Sequence, residues 1–202
     1  MMKLYLISNN LLLDSISYNS NNLDLIRMTR PLSIEGDVLA KEVSLKKELQ
    51  EVDKVYSSFY SSALSTAKYL ANNLDLNINM REELNECLVG SLGSKNMKMV
   101  KGLQDHEFSY KLPGGESLID VGNRLDNFIN KLNEDENAIL FTHKRAIVGY
   151  LIKKCIVGYN LDENLILRFN NEVVYDDSET AIDIYEIDID NRNVKSIKYY
   201  GR

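Results

Sequence analysis

His143 stands directly behind the apolar run at residues 138–142 (AILFT) and is one of only two histidines in the sequence. An imidazole held at the end of a buried strand can attack as a nucleophile or carry a proton. A carboxylic acid would complement it, and Glu82, Glu83 and Glu86 crowd one stretch ahead of Gly90. Lys144 and Arg145 follow the histidine, while Arg27 and Arg30 precede Pro31 in what reads as a loop; these are the cations that could meet an anion. At the other strand-like run, residues 4–7 (LYLI), the chain passes into Ser8-Asn9-Asn10, which offers hydrogen bonds but no charge and no nucleophilic nitrogen.

Each of these residues also has a plain structural reading. A histidine near a strand end is often satisfied by a backbone carbonyl, and two loop arginines are more often surface residues than ligands. Lys144 and Arg145 open a helical pattern, where cations oppose the dipole and can simply be solvated. His106 lies in a polar segment and reads as an exposed side chain.

Cys87 and Cys155 are the only cysteines, and with His106 and His143 they show no ligand spacing, so neither a disulfide framework nor a metal site is expected. No cofactor is expected either. The formal net charge of -6 argues against nucleic acid or anionic membrane as a bulk electrostatic partner and leaves room for a small basic pocket. The N-terminal apolar run is too short for a signal sequence and nothing approaches a membrane span, which makes the cytoplasm the expected compartment.

With 202 residues, 44% hydrophobic and 27% charged, the chain suits one globular domain, residues 1–202, with a full core. Residues 4–7, 53–58 and 138–142 read as strands. Helical spacing runs behind Ser33 (Val38, Leu39, Val43, Leu45, Leu49), over residues 61–74, behind Ser117 (Leu118, Val121, Leu125, Phe128, Ile129, Leu132) and over residues 145–156. Residues 15–22 are an Asn-rich loop, and residues 91–112, polar and carrying Gly93 and Gly102, are expected to form a short irregular cap or lid. The tail alternates apolar and polar residues over 165–169, 173–175, 182–189 and 194–199, as antiparallel strands do. This order predicts a three-layer α/β/α domain with a mostly parallel central sheet and antiparallel C-terminal strands.

Four segments, in order, resemble the histidine phosphatase superfamily, which includes the phosphoglycerate mutases. Lys3-Leu4-Tyr5-Leu6-Ile7 is similar to its first strand, which ordinarily runs into Arg-His-Gly. Pro31-Leu32-Ser33-Ile34-Glu35-Gly36 resembles its PLTxxG helix start. Val55-Tyr56-Ser57-Ser58, followed by Ala63 and Thr66-Ala67, resembles VYSSPLxRAxxTA. Pro113-Gly114-Gly115-Glu116-Ser117 and, after the strand, Thr142-His143 resemble PGGES…SHG.

The resemblance implies a phosphoglycerate mutase-like fold and a reaction in which a histidine takes a phosphoryl group, arginines hold its oxygens and an acid protonates the leaving group. Residue by residue, Ser8, Asn9 and Asn10 stand at Arg-His-Gly, Ser62 stands at the second arginine, and Phe59 replaces the proline. His143 keeps the second histidine, with Lys144 in place of the usual glycine, and Glu86 keeps the acid. Loss of one preorganised donor costs on the order of 10²–10³ in rate and loss of a nucleophile about 10⁶.

The expected function is therefore a pseudophosphatase, a ligand-binding or protein-interaction module rather than an enzyme. The alternative is a divergent phosphomonoesterase using His143 and Glu86 with a rebuilt cationic pocket. Ser8, Asn9, Asn10, Ser62 and Lys144 would line the retained pocket, and the expected partner is a small anionic ligand or a protein. The sequence names no oligomeric state.

Overall fold

The computed structural model describes residues 1–13 and 22–200, so most of the Asn-rich loop expected at 15–22 lies outside the described residues. The central sheet has six strands: β1 (Met2–Asn9), β2 (Lys54–Ser57), β3 (Ile78–Met80), β4 (Ala138–Phe141), β8 (Ile182–Asp190) and β9 (Asn193–Tyr199). Their order is β3-β2-β4-β1-β8-β9, parallel from β3 to β1 and antiparallel from β1 to β9. Both faces of β1 and β4 are buried, which is why these strands read as unbroken apolar runs. Leu4, Leu6 and Leu140 pack under α5 (Leu118–Ile129) and α6 (Lys144–Ile152), while Tyr5, Ile7 and Ile139 face α2 (Ile34–Val43) and α3 (Ser61–Leu74). Helices on both faces of a mostly parallel sheet give the expected three layers. No described helix is long and apolar enough to cross a membrane.

Helix starts follow local chemistry. Ser33 Oγ accepts from Gly36 N at the head of α2. Ser117 and Asp120 form a reciprocal capping box at the head of α5.

Four expectations need correction. Residues 91–112 are not irregular throughout but contain α4 (Met97–His106), whose buried residues are Val100, Gln104 and Asp105. Two of those three are polar and satisfied by hydrogen bonds, so hydropathy hides the helix. Arg27 belongs not to a loop but to α1 (Leu23–Thr29), capped by Asn22. The helix expected to reach residue 156 stops at Ile152, and β5 (Ile156–Tyr159) pairs with β6 (Leu165–Phe169), which pairs with β7 (Glu172–Tyr175) in a separate sheet. Tertiary pairing of β-branched Ile156 and Val157 overrides the helical spacing. On α2, Val38 and the following Leu45 are exposed, and Leu49 is buried from a short 3-10 turn at Lys47–Glu51.

α5 and α6 cross at a contact between two glycines. A Cβ on Gly122 would come within 2.2 Å of the Gly149 carbonyl oxygen, and one on Gly149 within 2.6 Å of the Leu118 oxygen. Backbone lies on both sides, so the helices themselves must separate to admit a methyl group. Gly149→Ala is expected to lower stability by about 1–3 kcal/mol, read as a shift in the urea midpoint; an unchanged midpoint would show that the helices part at no cost.

Candidate functional site

Three neighbouring strands leave the sheet on the same edge. Ile7 and Ser57 both align with Phe141, Thr142 N donates to the Ile7 oxygen (2.8 Å), and Ser58 N donates to the Phe141 oxygen (3.0 Å). Ser8-Asn9-Asn10, Ser58 and His143 are therefore carried to one end of the sheet, at the carboxyl ends of parallel strands, where ligand crevices of open α/β sheets lie.

At the end of β1 the polar groups are bonded to one another. Asn9 Nδ2 donates to the Gly36 oxygen (2.9 Å) and its Oδ1 accepts from Leu11 N (3.2 Å). Ser8 Oγ donates to Asn10 Oδ1 (2.8 Å), and Asn10 Nδ2 donates to Asp183 Oδ2 (2.8 Å) and to the Thr180 oxygen (3.0 Å). Asp183, aligned with Ser8 across the sheet and 2% exposed, also accepts from Thr180 Oγ1 and the Tyr199 hydroxyl, both at 2.8 Å. Burial and then that bond to Asp183 push the Tyr199 phenol well above its ordinary range. The one formal charge in this network is negative, and it is buried.

His143 belongs to a second cluster. Its Nε2 lies 2.8 Å from Ser58 Oγ, which also accepts from Tyr60 N (3.2 Å), and the Tyr60 ring sits 4.5 Å away, tilted against the imidazole. Either placement of the shared proton leaves Nε2 engaged. Glu86 lies nearby, accepting from Cys87 N at 2.8 Å and facing Arg27 at 3.6 Å, while Arg27 also donates to the Cys87 oxygen (2.9 Å). Desolvation lowers the His143 pKa to about 4; Glu86 opposes the shift, and Arg27 and Arg124 add to it. Burial pushes the Tyr60 phenol up to about 12.

The ring is therefore neutral at neutral pH, and this has a stability consequence. Between an unfolded pKa near 6.5 and a folded value of about 4, the unfolded chain binds the extra proton, so the contribution of His143 is complete above 6.5 and is lost as pH falls toward 4. His143→Gln is expected to flatten the fall in unfolding free energy across that window; identical slopes for the two proteins would refute it.

The remaining candidates are held elsewhere. Ser62 is buried in the first turn of α3, and its carbonyl accepts from Thr66 Oγ1. Lys144 Nζ donates to the Ser178 oxygen (2.5 Å) and lies 5.8 Å over the Tyr175 ring. Arg145 bonds Asp105 (2.6 Å) and Gln104 (3.3 Å), and Arg30 Nε donates to the Leu13 oxygen (2.9 Å). His106 is exposed and stacks on Tyr159. Sequence reasoning missed Arg124, which grips Glu116 through two nitrogens and donates to the carbonyls of Glu82, Glu83 and Asn85 just ahead of Glu86. It also missed Ser58, Tyr60 and Asp183 as partners. Only Ser58 left a signal, in the VYSS string.

A cavity of about 840 Å³ opens beside this cluster, between α4, the start of α6 and the turns at 162–164 and 177–179. Arg27, Cys87 and Lys144 border it, whereas Ser8, Asn9, Ser62, Glu86 and His143 do not. Asn10 and Lys144 line a separate hollow of about 480 Å³ with Thr180. α4 is fastened over the larger cavity through Asp105, which takes Arg145 and Lys101 (2.8 Å); Lys101 also reaches Asp177 (2.5 Å). Burial, with Glu86 and Glu116 adding to it, pushes the Cys87 thiol up to about 12, so this wall carries no thiolate.

Residues 23–174 match the profile of the histidine phosphatase superfamily (branch 1), a stretch that begins beyond Ser8-Asn9-Asn10 and includes Ser62, Glu86 and His143. Among solved structures, the chain is similar to a mycobacterial glucosyl-3-phosphoglycerate phosphatase in complex with inorganic phosphate, with 16% identity, a TM-score of 0.65, and coverage of 100% of this chain and 96% of that one. It is also similar to the alpha-ribazole phosphatase from Shigella flexneri, with 17% identity, a TM-score of 0.63, and coverage of 96% and 93%. A protein from Thermus thermophilus matches with 22% identity, a TM-score of 0.56, and coverage of 87% and 98%. At such identities these likenesses establish the shared fold.

Proposed function

This chain belongs to the histidine phosphatase superfamily, and on that premise we propose that it is a pseudophosphatase, a binding module whose phosphate centre serves as structure. The observation that carries this reading is the state of Asn9. By the likeness of residues 3–7 to the family's first strand it stands where the nucleophile is expected, its amide nitrogen has no nucleophilic lone pair, and both ends of the amide are bonded within the protein. Beside it, the place of the first arginine is filled by a neutral Ser8-Asn10 relay that ends on buried Asp183. A phosphate dianion brought there would meet a buried carboxylate, while Lys144, the cation of the adjoining hollow, is drawn to the Ser178 oxygen.

The alternative esterase would need His143 free and cations gathered around it. Nε2 is engaged with Ser58, and Lys144 and Arg145 are drawn to Ser178 and Asp105. Arg27 is the one cation of the original candidates that stands in the cluster, and it faces Glu86. The geometry favours binding in the adjacent cavity over phosphoryl transfer at the strand ends.

The test is direct. The purified chain is incubated with p-nitrophenyl phosphate, and intact-mass analysis follows any phosphohistidine. No adduct and no turnover above background are expected. Turnover that disappears in His143→Ala, or a phosphorylated His143, would sink the proposal.

A further inference from the structure

The small sheet β5-β6-β7 turns one face to the core and leaves Ile156 and Val173 exposed on the other. Leu165 and Leu167 of β6 are buried in the core, and Val157 packs against it from β5. Alternation along the strands therefore points Ile156 and Gly158 of β5, and Ile166 and Arg168 of β6, the other way. A register shift beside Leu167 and Arg168 lets Val174 and Tyr175 both turn inward and sets Val173 opposite Arg168. The outward row is thus Ile156–Arg168–Val173, with Ile156 68% and Val173 48% exposed.

Arg168 is unusual in this row. No described residue pairs with its guanidinium, in a protein whose formal net charge is -6. It is only half-exposed, and its Nη1 would lie 3.3 Å from a Cβ built on Gly158, so the side chain reaches across β5 where that strand has no side chain to block it. A partly desolvated arginine flanked by exposed aliphatic side chains matches the composition of interface hot spots. Its missing complement is a carboxylate.

We infer that this face is a docking surface for a protein partner that presents a carboxylate ringed by aliphatic side chains. A second copy of this chain fits poorly. A two-fold axis through Arg168 would set it against its own counterpart, and Glu172, the exposed acid of these strands, aligns with core-packed Phe169 rather than with the outward row.

The probe is a cyclic β-hairpin peptide carrying one aspartate between two isoleucines on one face, with an aspartate-to-lysine peptide as control. Binding to the full chain is followed by amide chemical shifts. Shifts confined to residues 156–175 are expected, with affinity falling at least tenfold for the lysine peptide and for Arg168→Glu, and partly retained in Arg168→Lys. An unchanged urea midpoint in both variants establishes that the fold is intact. Equal binding of the two peptides, shifts centred elsewhere, or no binding at millimolar peptide would overturn the inference. So would concentration-dependent dimerisation abolished by Arg168→Glu, which would assign the face to a second copy instead.

Discussion

Changing Ser8→Arg, Asn9→His and Ser62→Arg together is expected to raise p-nitrophenyl phosphate turnover by about 10²-fold over the unaltered chain, with the phosphoryl group on the new histidine. The side chain at position 9 already reaches the Gly36 oxygen, and the Nδ1–H of an imidazole, equally far from Cβ, can make the same bond and be oriented by it. The structure adds a fourth requirement. Asp183 lies across the sheet from position 8, so an arginine placed there pairs with that carboxylate and loses much of its pull on phosphate. Adding Asp183→Asn is therefore expected to raise turnover further than the three changes alone. Kinetics with intact-mass detection of phosphohistidine decides the matter. If neither variant shows turnover or adduct, the site has drifted by more than its missing side chains.

The second large effect falls on stability. Asp105→Ala removes the acceptor that holds Arg145, whose side chain is 14% exposed and would be left with Gln104 alone. Stranding a buried charge in this way costs about 3–5 kcal/mol, whereas Lys101 keeps Asp177 and softens the loss. Amide exchange should quicken in α4 before the central sheet is affected, because Asp105 is the point at which that helix is tied to α6. A loss below about 1 kcal/mol, or exchange that quickens uniformly, would show that apolar packing around Val100 holds α4 instead.

Much of the scaffold was legible because its signals are local. The apolar run at 138–142 reads as a buried strand, and Ser117 behind Pro113-Gly114-Gly115 marks a helix start borne out by its bond to Asp120 N. The position of His143 follows from the strand before it. What was not legible depends on residues far apart in sequence. Nothing around Ser8 or Asn10 announces Asp183, more than 170 positions later, although that carboxylate gives the strand end its charge. Arg124 looks like a solvated helical residue until Glu116 and the carbonyls ahead of Glu86 close around it. The helix at Met97–His106 was hidden because its inner face is partly polar, and hydropathy cannot distinguish a satisfied Gln104 or Asp105 from an exposed one.

The placement of β1 also bears on how the protein is made. It leaves the ribosome before every other strand of the central sheet, yet it lies between β4 and β8. One of its edges waits for residues 138–141 and the other for residues 182–190. Until residue 190 has emerged, eight residues that are almost entirely buried in the folded domain lack one or both of their permanent neighbours. Such long-range closure slows folding and exposes a sticky strand during synthesis, so a nascent chain arrested before residue 182 should depend on chaperones far more than the completed one.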